Sequence, residues 1–277
     1  MYNKDKIIDT LKDIVETSKT IAPYVVIAQP RRNKDEEPAQ KFDGRQGLGE
    51  EHVDLHGFSH GYCDIGGEKV DVARNYLIEQ VLESDAKYMF FIGDDTVVPY
   101  HAFKTLHKTA EENPGSIVVG VYYIKLGDAM IMTKEKNWIV VPNVDPGQLF
   151  PVHMCGMDCM LIPVDILRQM KEEEPELPFC CIANGIPDIP FIGEDNFFMH
   201  RVHKRGTKIL CNTDVQCLHI DTANGRYTAH PSVDLVNYHA NIPINGVLTE
   251  DDREYLDHRW HSRLPKGTHQ SAENNNE

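Results

Sequence analysis

Two adjacent acids, Asp94 and Asp95, follow a short apolar run from Tyr88 to Ile92 and a single glycine. Aromatic and β-branched residues throughout such a run are typical of a buried parallel strand with helices on both faces. The acids therefore lie at the carboxyl end of a strand, where open α/β sheets bind their ligands. Adjacent carboxylates there are hard oxygen ligands, suited to Mg²⁺ or Mn²⁺ and to a metal-bound phosphate. The alternative is a solvated turn or a helix cap.

Three further residues in the second half of the chain could complete such a site. Glu194 and Asp195 stand at the predicted start of a helix, and His219 ends a late apolar segment and is followed by an acid two positions later. Each has an ordinary explanation as well, because acids at a helix start interact favourably with the helix dipole and a histidine is often simply packed or solvated. Their occurrence together with Asp94 and Asp95 favours one site with metal and acid–base chemistry.

The elements that would position these residues alternate between strand and helix patterns. Apolar residues at helical spacing over 71–84 lead into the strand before Asp94, and a helix after Pro99 leads into a strand over 117–121. This alternation predicts crossover connections and a mostly parallel sheet. The other predicted strands cover 24–28, 138–141, 157–162, 208–211 and 215–219, and the other predicted helices cover 163–171 and a segment that begins at 193.

One segment, residues 31 to 70, has no sustained periodicity and is rich in glycine, histidine and acids. It is too long for an inert connection in a compact domain, so we expect a functional loop there. Residues 5 to 18 have an amphipathic helical pattern, and the chain from about 262 has too few apolar residues to pack.

Composition excludes several classes of protein. The chain has 277 residues, 41% of them hydrophobic and 26% charged, and no run approaches the roughly 18 to 20 apolar residues that cross a bilayer. Its first residues lead into an amphipathic pattern rather than a signal-peptide core, so we expect a cytoplasmic protein with no membrane insertion. The formal charge of −15 argues against an extensive face for duplex nucleic acid.

Six short segments between about residues 22 and 222 together resemble the GT-A glycosyltransferases, in particular those of family 2. The segments are Ala73-Arg74-Asn75, Phe91-Ile92-Gly93-Asp94-Asp95 with Val97-Val98-Pro99, Cys155-Gly156-Met157, Gly193-Glu194-Asp195-Asn196-Phe197-Phe198, Arg205-Gly206-Thr207-Lys208-Ile209 and Cys217-Leu218-His219-Ile220-Asp221.

The resemblance implies an α/β fold of the GT-A type, in which a Rossmann-like, mostly parallel central sheet flanked by helices is fused to an acceptor-side subdomain. On this basis we expect four regions in the chain. They are a leading amphipathic helix over 1–21, a nucleotide-sugar-binding half over 22–125, an acceptor-binding and catalytic half over 126–261, and a flexible tail over 262–277.

The resemblance also implies roles for the acids and the histidine. Asp95 is similar to the last acid of the family's Asp-X-Asp motif and His219 to a further metal ligand, which would be Mn²⁺ or Mg²⁺. Gly93 departs from the motif because it stands where many members have the first acid, which leaves Asp94 to share the metal and nucleotide contacts with Asp95. Asp195 is expected to be the general base and Glu194 to bind the acceptor.

Donor recognition is expected at the end of the first strand. Ala28, Gln29, Pro30 and Arg31 occupy the stretch where the family contacts the base and ribose, and Arg74 could reach the base or a phosphate from the next helix. A guanidinium fork suits phosphate oxygens well. An alternative for Arg74 is a surface position at a helix start.

The leading hypothesis is a metal-dependent glycosyltransferase that moves a sugar from a nucleoside diphosphate donor, expected to be a UDP-sugar, to a hydroxyl acceptor with inversion. The acceptor could belong to a glycan, a protein or a hydroxymethylated DNA base. One alternative is a sugar nucleotidyltransferase, which would normally carry a glycine-rich loop where this chain has Gln29-Pro30-Arg31-Arg32. Another is a non-catalytic GT-A-like module that binds a saccharide or a partner, which the glycine at 93 suggests.

Overall fold

The computed structural model describes residues 22–31, 53–123, 129–134, 138–140, 144–182, 193–221 and 226–228. The predicted leading helix over 1–21 and the predicted tail over 262–277 lie outside these residues. The helices are α1 Val70–Leu82, α2 Ala102–Glu112, α3 Val164–Glu173 and α4 Glu194–Lys204. The strands are β1 Val25–Arg31, β2 His60–Gly66, β3 Tyr88–Ile92, β4 Thr96–Val97, β5 Ile117–Val121, β6 Ile131–Lys134, β7 Trp138–Val140, β8 Leu149–Pro151, β9 Met154–Cys155, β10 Cys159–Pro163, β11 Ile209–Gln216, β12 Leu218–Asp221 and β13 Arg226–Thr228.

A seven-stranded sheet with the order β2-β1-β3-β10-β5-β11-β8 forms the centre of the fold. The pairs β1–β2, β1–β3 and β5–β11 are parallel. Strand β10 is antiparallel to both β3 and β5, and β8 is antiparallel to β11 at the edge. Strands β1, β2, β3, β5 and β11 therefore run in one direction, and only β10 and β8 run in the other. This confirms the predicted α/β class with a mostly parallel central sheet. The sheet contains strands from both predicted halves of the chain, and the exact domain boundaries stay a prediction.

Helices cover both faces of the sheet, and the side chains of β3 are divided between them. Met89 and Phe91 belong to the core cluster that includes residues of α1, α3 and α4. Phe90 and Ile92 belong to the opposite cluster, which includes residues of α2. An interior strand that is buried on both faces has no reason to alternate apolar with polar residues, and this explains its continuous apolar sequence.

Replacing Phe90 by alanine should test this burial. The side chain is fully buried and its ring centroid lies 6.1 Å from that of Phe103. We expect the free energy of unfolding in urea to fall by about 3 to 5 kcal/mol, because the variant loses buried apolar contacts and leaves a cavity. Tyr100→Ala is the control, since this side chain is 49% exposed and should change stability by less than about 0.5 kcal/mol. Equal effects at the two positions would contradict the two-layered core.

The structure differs from the sequence-based expectation between residues 31 and 70. Residues His60–Gly66 form β2, which pairs in parallel with β1 over seven residue pairs, and helix α1 begins at Val70. The segment had been expected to be a loop because it lacks alternation. An edge strand, however, can be held mainly by backbone hydrogen bonds to one neighbour while its side chains stay partly exposed. Residues 32–52 of the segment lie outside the described residues.

Two small sheets extend the central one, with the strand orders β13-β12-β4 and β7-β6-β9. The pairing of β4 with β12 sets residue Thr96, directly after the two acids, opposite His219. Within the described part of the chain, no helix has the length and apolar character required to cross a membrane.

Candidate functional site

The acid pair and the late histidine lie at one place in the structure. Asp94 and Asp95 follow the carboxyl end of β3, and Asp95 is only 5% exposed. Because β12 pairs with β4, the imidazole of His219 comes next to the Asp95 carboxylate, with 3.3 Å between Nε2 and Oδ2. Two residues that are far apart in the chain thus present a nitrogen and an oxygen ligand side by side.

The orientation of His219 follows from its second ring nitrogen. Nδ1 lies 3.0 Å from the backbone carbonyl oxygen of Tyr123, and a carbonyl oxygen can only accept a hydrogen bond, so Nδ1 carries a proton. Nε2 then faces Asp95. Burial opposes protonation of His219, but the hydrogen bond and charge of Asp95 outweigh it and raise the pKa of His219 above its ordinary value. The arrangement suits either an imidazolium paired with Asp95 or a neutral imidazole that shares a cation with it.

The Asp95 and His219 pair fits a divalent cation. Two ligands at about 2.1 Å from one ion and at right angles to each other are about 3.0 Å apart, close to the observed separation of 3.3 Å. Carboxylate oxygen and imidazole nitrogen are both suitable for Mn²⁺. Among the described residues there is no group of three or more His, Cys, Asp or Glu side chains arranged to hold a metal. In Mg²⁺ sites that hold phosphates, substrate oxygens and water commonly complete a coordination shell to which the protein contributes one or two ligands.

These residues open into a pocket with a volume of about 350 Å³. Most of the residues expected from the sequence line it, whereas Ala28, Gln29 and Asp195 are not among its lining residues. Ala28 is fully buried in β1, and Gln29 is 2% exposed and accepts a hydrogen bond from the Tyr62 hydroxyl (2.8 Å). The lining consists of Pro30, Arg31, Glu68, Val70, Ala73, Arg74, Gly93, Asp94, Asp95, Tyr122, Met130, Asp158, Glu194 and His219.

Arg74, in α1, pairs with acids from two other parts of the chain. Its guanidinium group is buried, donates from Nη2 to Oδ1 of Asp158 (2.8 Å) and pairs through Nη1 with the Glu194 carboxylate. Such charge-assisted contacts hold the start of α4 and the residue before β10 against helix α1. Both terminal nitrogens thus have carboxylate partners, and a contact of Arg74 with a base or phosphate stays a prediction.

Asp195 is held next to Gly193, which is the residue before α4. Its Oδ1 accepts a hydrogen bond from the backbone N–H of Asn196 (2.7 Å), and a Cβ at Gly193 would lie 2.6 Å from the same oxygen. The backbone at Gly193 is extended, so glycine is explained here by the space that the carboxylate takes. Burial raises the pKa of Asp195 to about 6, although the positive charge of Arg74 opposes this shift. A carboxyl group with such a pKa is suited to general-base work near neutral pH.

Two lining residues, Asp158 and Tyr122, were not anticipated from the sequence. Asp158 directly precedes β10, and the only signal was an acid beside an apolar run. Tyr122 directly follows β5, its ring centroid is 5.7 Å from that of His219, and burial raises the pKa of its hydroxyl well above the usual value. Asp158 could not be assigned to the site without knowing that β10 is inserted antiparallel between β3 and β5.

Comparisons with known proteins give similar structures but no family. No protein-family model matches the sequence, and no curated protein matches it significantly. The crystal structure of A197 from STIV is similar with a TM-score of 0.48 and 16% identity, over 75% of this chain and 94% of that chain. The structure of GalNAc-T7 with UDP, GalNAc and Mn²⁺ is similar with a TM-score of 0.44 and 12% identity, over 86% of this chain and 55% of that chain. Because both TM-scores are below 0.5, the fold class is assigned from the observed sheet and helices and not from these similarities.

Proposed function

We propose that the protein is a metal-dependent glycosyltransferase that moves a sugar from a nucleoside diphosphate donor, with UDP as the expected nucleotide, to a hydroxyl acceptor with inversion. The observation that carries the proposal is the pair of Asp95 and His219, with 3.3 Å between ligand atoms in a pocket at the carboxyl end of β3. This is the edge at which α/β sheets bind nucleotides.

The charge of the pocket supports metal dependence. Its lining includes five carboxylates and two guanidinium groups, and one of the latter, Arg74, is already paired with two acids. A nucleoside diphosphate would be repelled by such a surface unless a cation came with it. Asp95 and His219 would hold Mn²⁺ or Mg²⁺ directly, and Asp94, which lines the same pocket, would share the metal and nucleotide contacts as the resemblance implies. The bound ion would stabilise the negative charge that develops on the departing β-phosphate.

The donor nucleotide would lie along the end of β1. Pro30 and Arg31 line the pocket and would contact the base and ribose. Arg31 is paired with the Asp64 carboxylate, which fixes the direction of its side chain. Ala28 and Gln29 lie beneath and would support these contacts from the core rather than touch the nucleotide.

Asp195 would act on the acceptor. As a carboxylate it would take the proton from the acceptor hydroxyl while that oxygen attacks the anomeric carbon from the face opposite the diphosphate, and a direct displacement of this kind inverts the anomeric centre. Glu194, held by Arg74, would bind and orient the acceptor. The acceptor hydroxyl could be that of a glycan, a protein or a hydroxymethylated DNA base.

A thermal-shift series with nucleoside diphosphates and their sugars, each with and without Mn²⁺, tests the proposal. At a ligand concentration 100 times the Kd, binding to the folded state adds about 2.7 kcal/mol. For a chain of this size we expect the Tm to rise by roughly 5 to 10 °C, and only when Mn²⁺ is present. If no nucleotide raised the Tm with Mn²⁺, the proposal would be overturned.

Donor hydrolysis separates catalysis from binding alone. A transferase should slowly release the free nucleoside diphosphate from its donor with Mn²⁺ present, even without an acceptor. A non-catalytic saccharide-binding module would bind the donor and release nothing. A sugar nucleotidyltransferase would instead release pyrophosphate from a nucleoside triphosphate and a sugar phosphate.

A further inference from the structure

Position 93 has no space for a side chain, although its backbone could accept one. Gly93 is not one of the described glycines that have a positive φ. A Cβ at this position, however, would lie 2.6 Å from Cγ and 2.8 Å from Oδ1 of Asp158, closer than real Cβ contacts come. The volume that a side chain at 93 would use is therefore taken by the Asp158 carboxyl group.

The register of the sheet explains how Asp158 reaches this position. Strand β10 runs antiparallel to β3 with Cys159 opposite Ile92, and the N–H of Gly93 donates to the carbonyl oxygen of Asp158 (3.1 Å). The chain thus enters β10 at the same end where it leaves β3. As a result, Asp158 lies at the edge that carries Asp94 and Asp95, and all three line one pocket.

The contacts of Asp158 leave one of its oxygens available. Oδ1 accepts the hydrogen bond from Arg74, and the side chain is 16% exposed. Within the described part of the chain no hydrogen bond to Oδ2 is found. Tyr122 also lines the pocket and is 7% exposed. Its hydroxyl has no hydrogen-bond partner among the described residues either. Both residues line the pocket, so these two atoms are available there to form hydrogen bonds with a polar ligand.

We propose that Asp158 is a donor-binding carboxylate whose free oxygen accepts hydrogen bonds from hydroxyl groups of the nucleotide sugar. From the position directly before β10, Asp158 supplies the acid that the Asp-X-Asp resemblance leads one to expect at position 93. The glycine at 93 leaves the space that the Asp158 carboxyl group occupies. This inference rests on the proposed function. Hydroxyl groups of the ribose and of the transferred sugar have the same hydrogen-bonding chemistry, and the choice of probes distinguishes them.

Three variants test the proposal: Asp158→Gly, Gly93→Asp, and the two changes combined. We expect Asp158→Gly to weaken donor binding by about 10- to 100-fold, the usual range for a lost hydrogen bond to a charged group. Gly93→Asp alone should also bind poorly, because two carboxyl groups compete for one volume. The combined variant should bind within about threefold of the wild type, since a carboxylate again fills that volume, and the two changes are then strongly non-additive.

Calorimetric titrations with two probes, Mn²⁺ with UDP and Mn²⁺ with UDP-glucose, give the Kd values, and the Tm of each variant without ligand reports its folding. If Asp158→Gly weakens the binding of both probes, the contact is assigned to the ribose. If it weakens the binding of UDP-glucose alone, the contact is assigned to the sugar.

If Asp158→Gly folds and binds both probes as the wild type does, or if the combined variant folds without regaining affinity, the inference is overturned while the proposed function stands. Wild-type protein that binds neither UDP nor any nucleotide sugar with Mn²⁺ would overturn both.

Discussion

Replacement of Asp195 by asparagine is expected to slow sugar transfer by about 100- to 10,000-fold, the usual contribution of a general base, while donor binding stays unchanged. Asparagine keeps the size of the side chain and the oxygen that accepts the Asn196 N–H, but it cannot take a proton. The measurement is kcat with saturating donor and Mn²⁺, together with the donor Kd. Because the acceptor is not identified, donor hydrolysis can serve as the first readout.

The pH dependence gives this prediction a second readout. Asp195 must be ionised to act as a base, and burial holds its pKa at about 6, so the wild-type kcat/KM should rise with pH up to about 6 and then level off. This rise should be absent from the residual activity of Asp195→Asn. A profile that is the same in both proteins would show that another group is the base.

Stability provides the control for folding. Since the folded state raises the pKa of Asp195 above its ordinary value, the stability that the protonated acid contributes is lost as the pH rises through about 6. Asp195→Asn should therefore be at least as stable as the wild type at pH 7, and lost activity could not come from unfolding. Asp165→Asn is the matched control, because it makes the same change in the first turn of a helix, α3, at a side chain that is 82% exposed.

Removal of divalent cations with EDTA is expected to abolish donor binding, and Mn²⁺ should restore it. The physical reason is the surplus of carboxylates around the pocket, which an uncompensated diphosphate would have to approach. Loss of an outer-shell partner alone costs about 10- to 100-fold in metal affinity, so Asp95→Asn and His219→Gln should each weaken Mn²⁺-dependent donor binding by at least about 100-fold. Asp94→Asn should have a smaller effect, because Asp95 is the acid beside the imidazole.

The matched control for the histidine is His56→Gln, which changes an exposed residue outside the pocket lining and should leave the affinity for Mn²⁺ and donor unchanged. Titrations of donor into EDTA-treated and Mn²⁺-loaded protein measure both effects. Equal affinity in the two preparations would exclude the metal-dependent reading, and equal losses in His56→Gln and His219→Gln would show that His219 has no special role.

Local patterns in the sequence were sufficient for the elements on which the site is built. The apolar run before Asp94 predicts a buried strand, and the run is β3 in the structure. The acids Glu194 and Asp195 were expected at a helix start, and they form the first two residues of α4. These features depend on burial and on the residue preferences of helix ends. Both are determined by residues close together in the chain, so the spacing of residue types predicts them.

Four features depended on contacts between distant segments. Strand β2 was not predicted because backbone pairing with β1, rather than an apolar pattern, defines it. The pairing of Arg74 with Asp158 and Glu194 was not predicted, while its contact with a base or phosphate stays a prediction. The antiparallel insertion of β10 set Asp158 against Gly93, and the pairing of β12 with β4 set His219 beside Asp95. The identity of a strand's neighbour depends on non-local hydrogen bonds and register, about which spacing along the chain carries almost no information.

Residue spacing alone predicted the α/β class and the acids at a strand end and a helix start. The tertiary structure decided which of these acids share a pocket with an imidazole, which are neutralised by a buried guanidinium, and why a glycine stands between β3 and Asp94. The reason is that periodicity records whether a side chain is buried, whereas strand pairing alone determines what it is buried against.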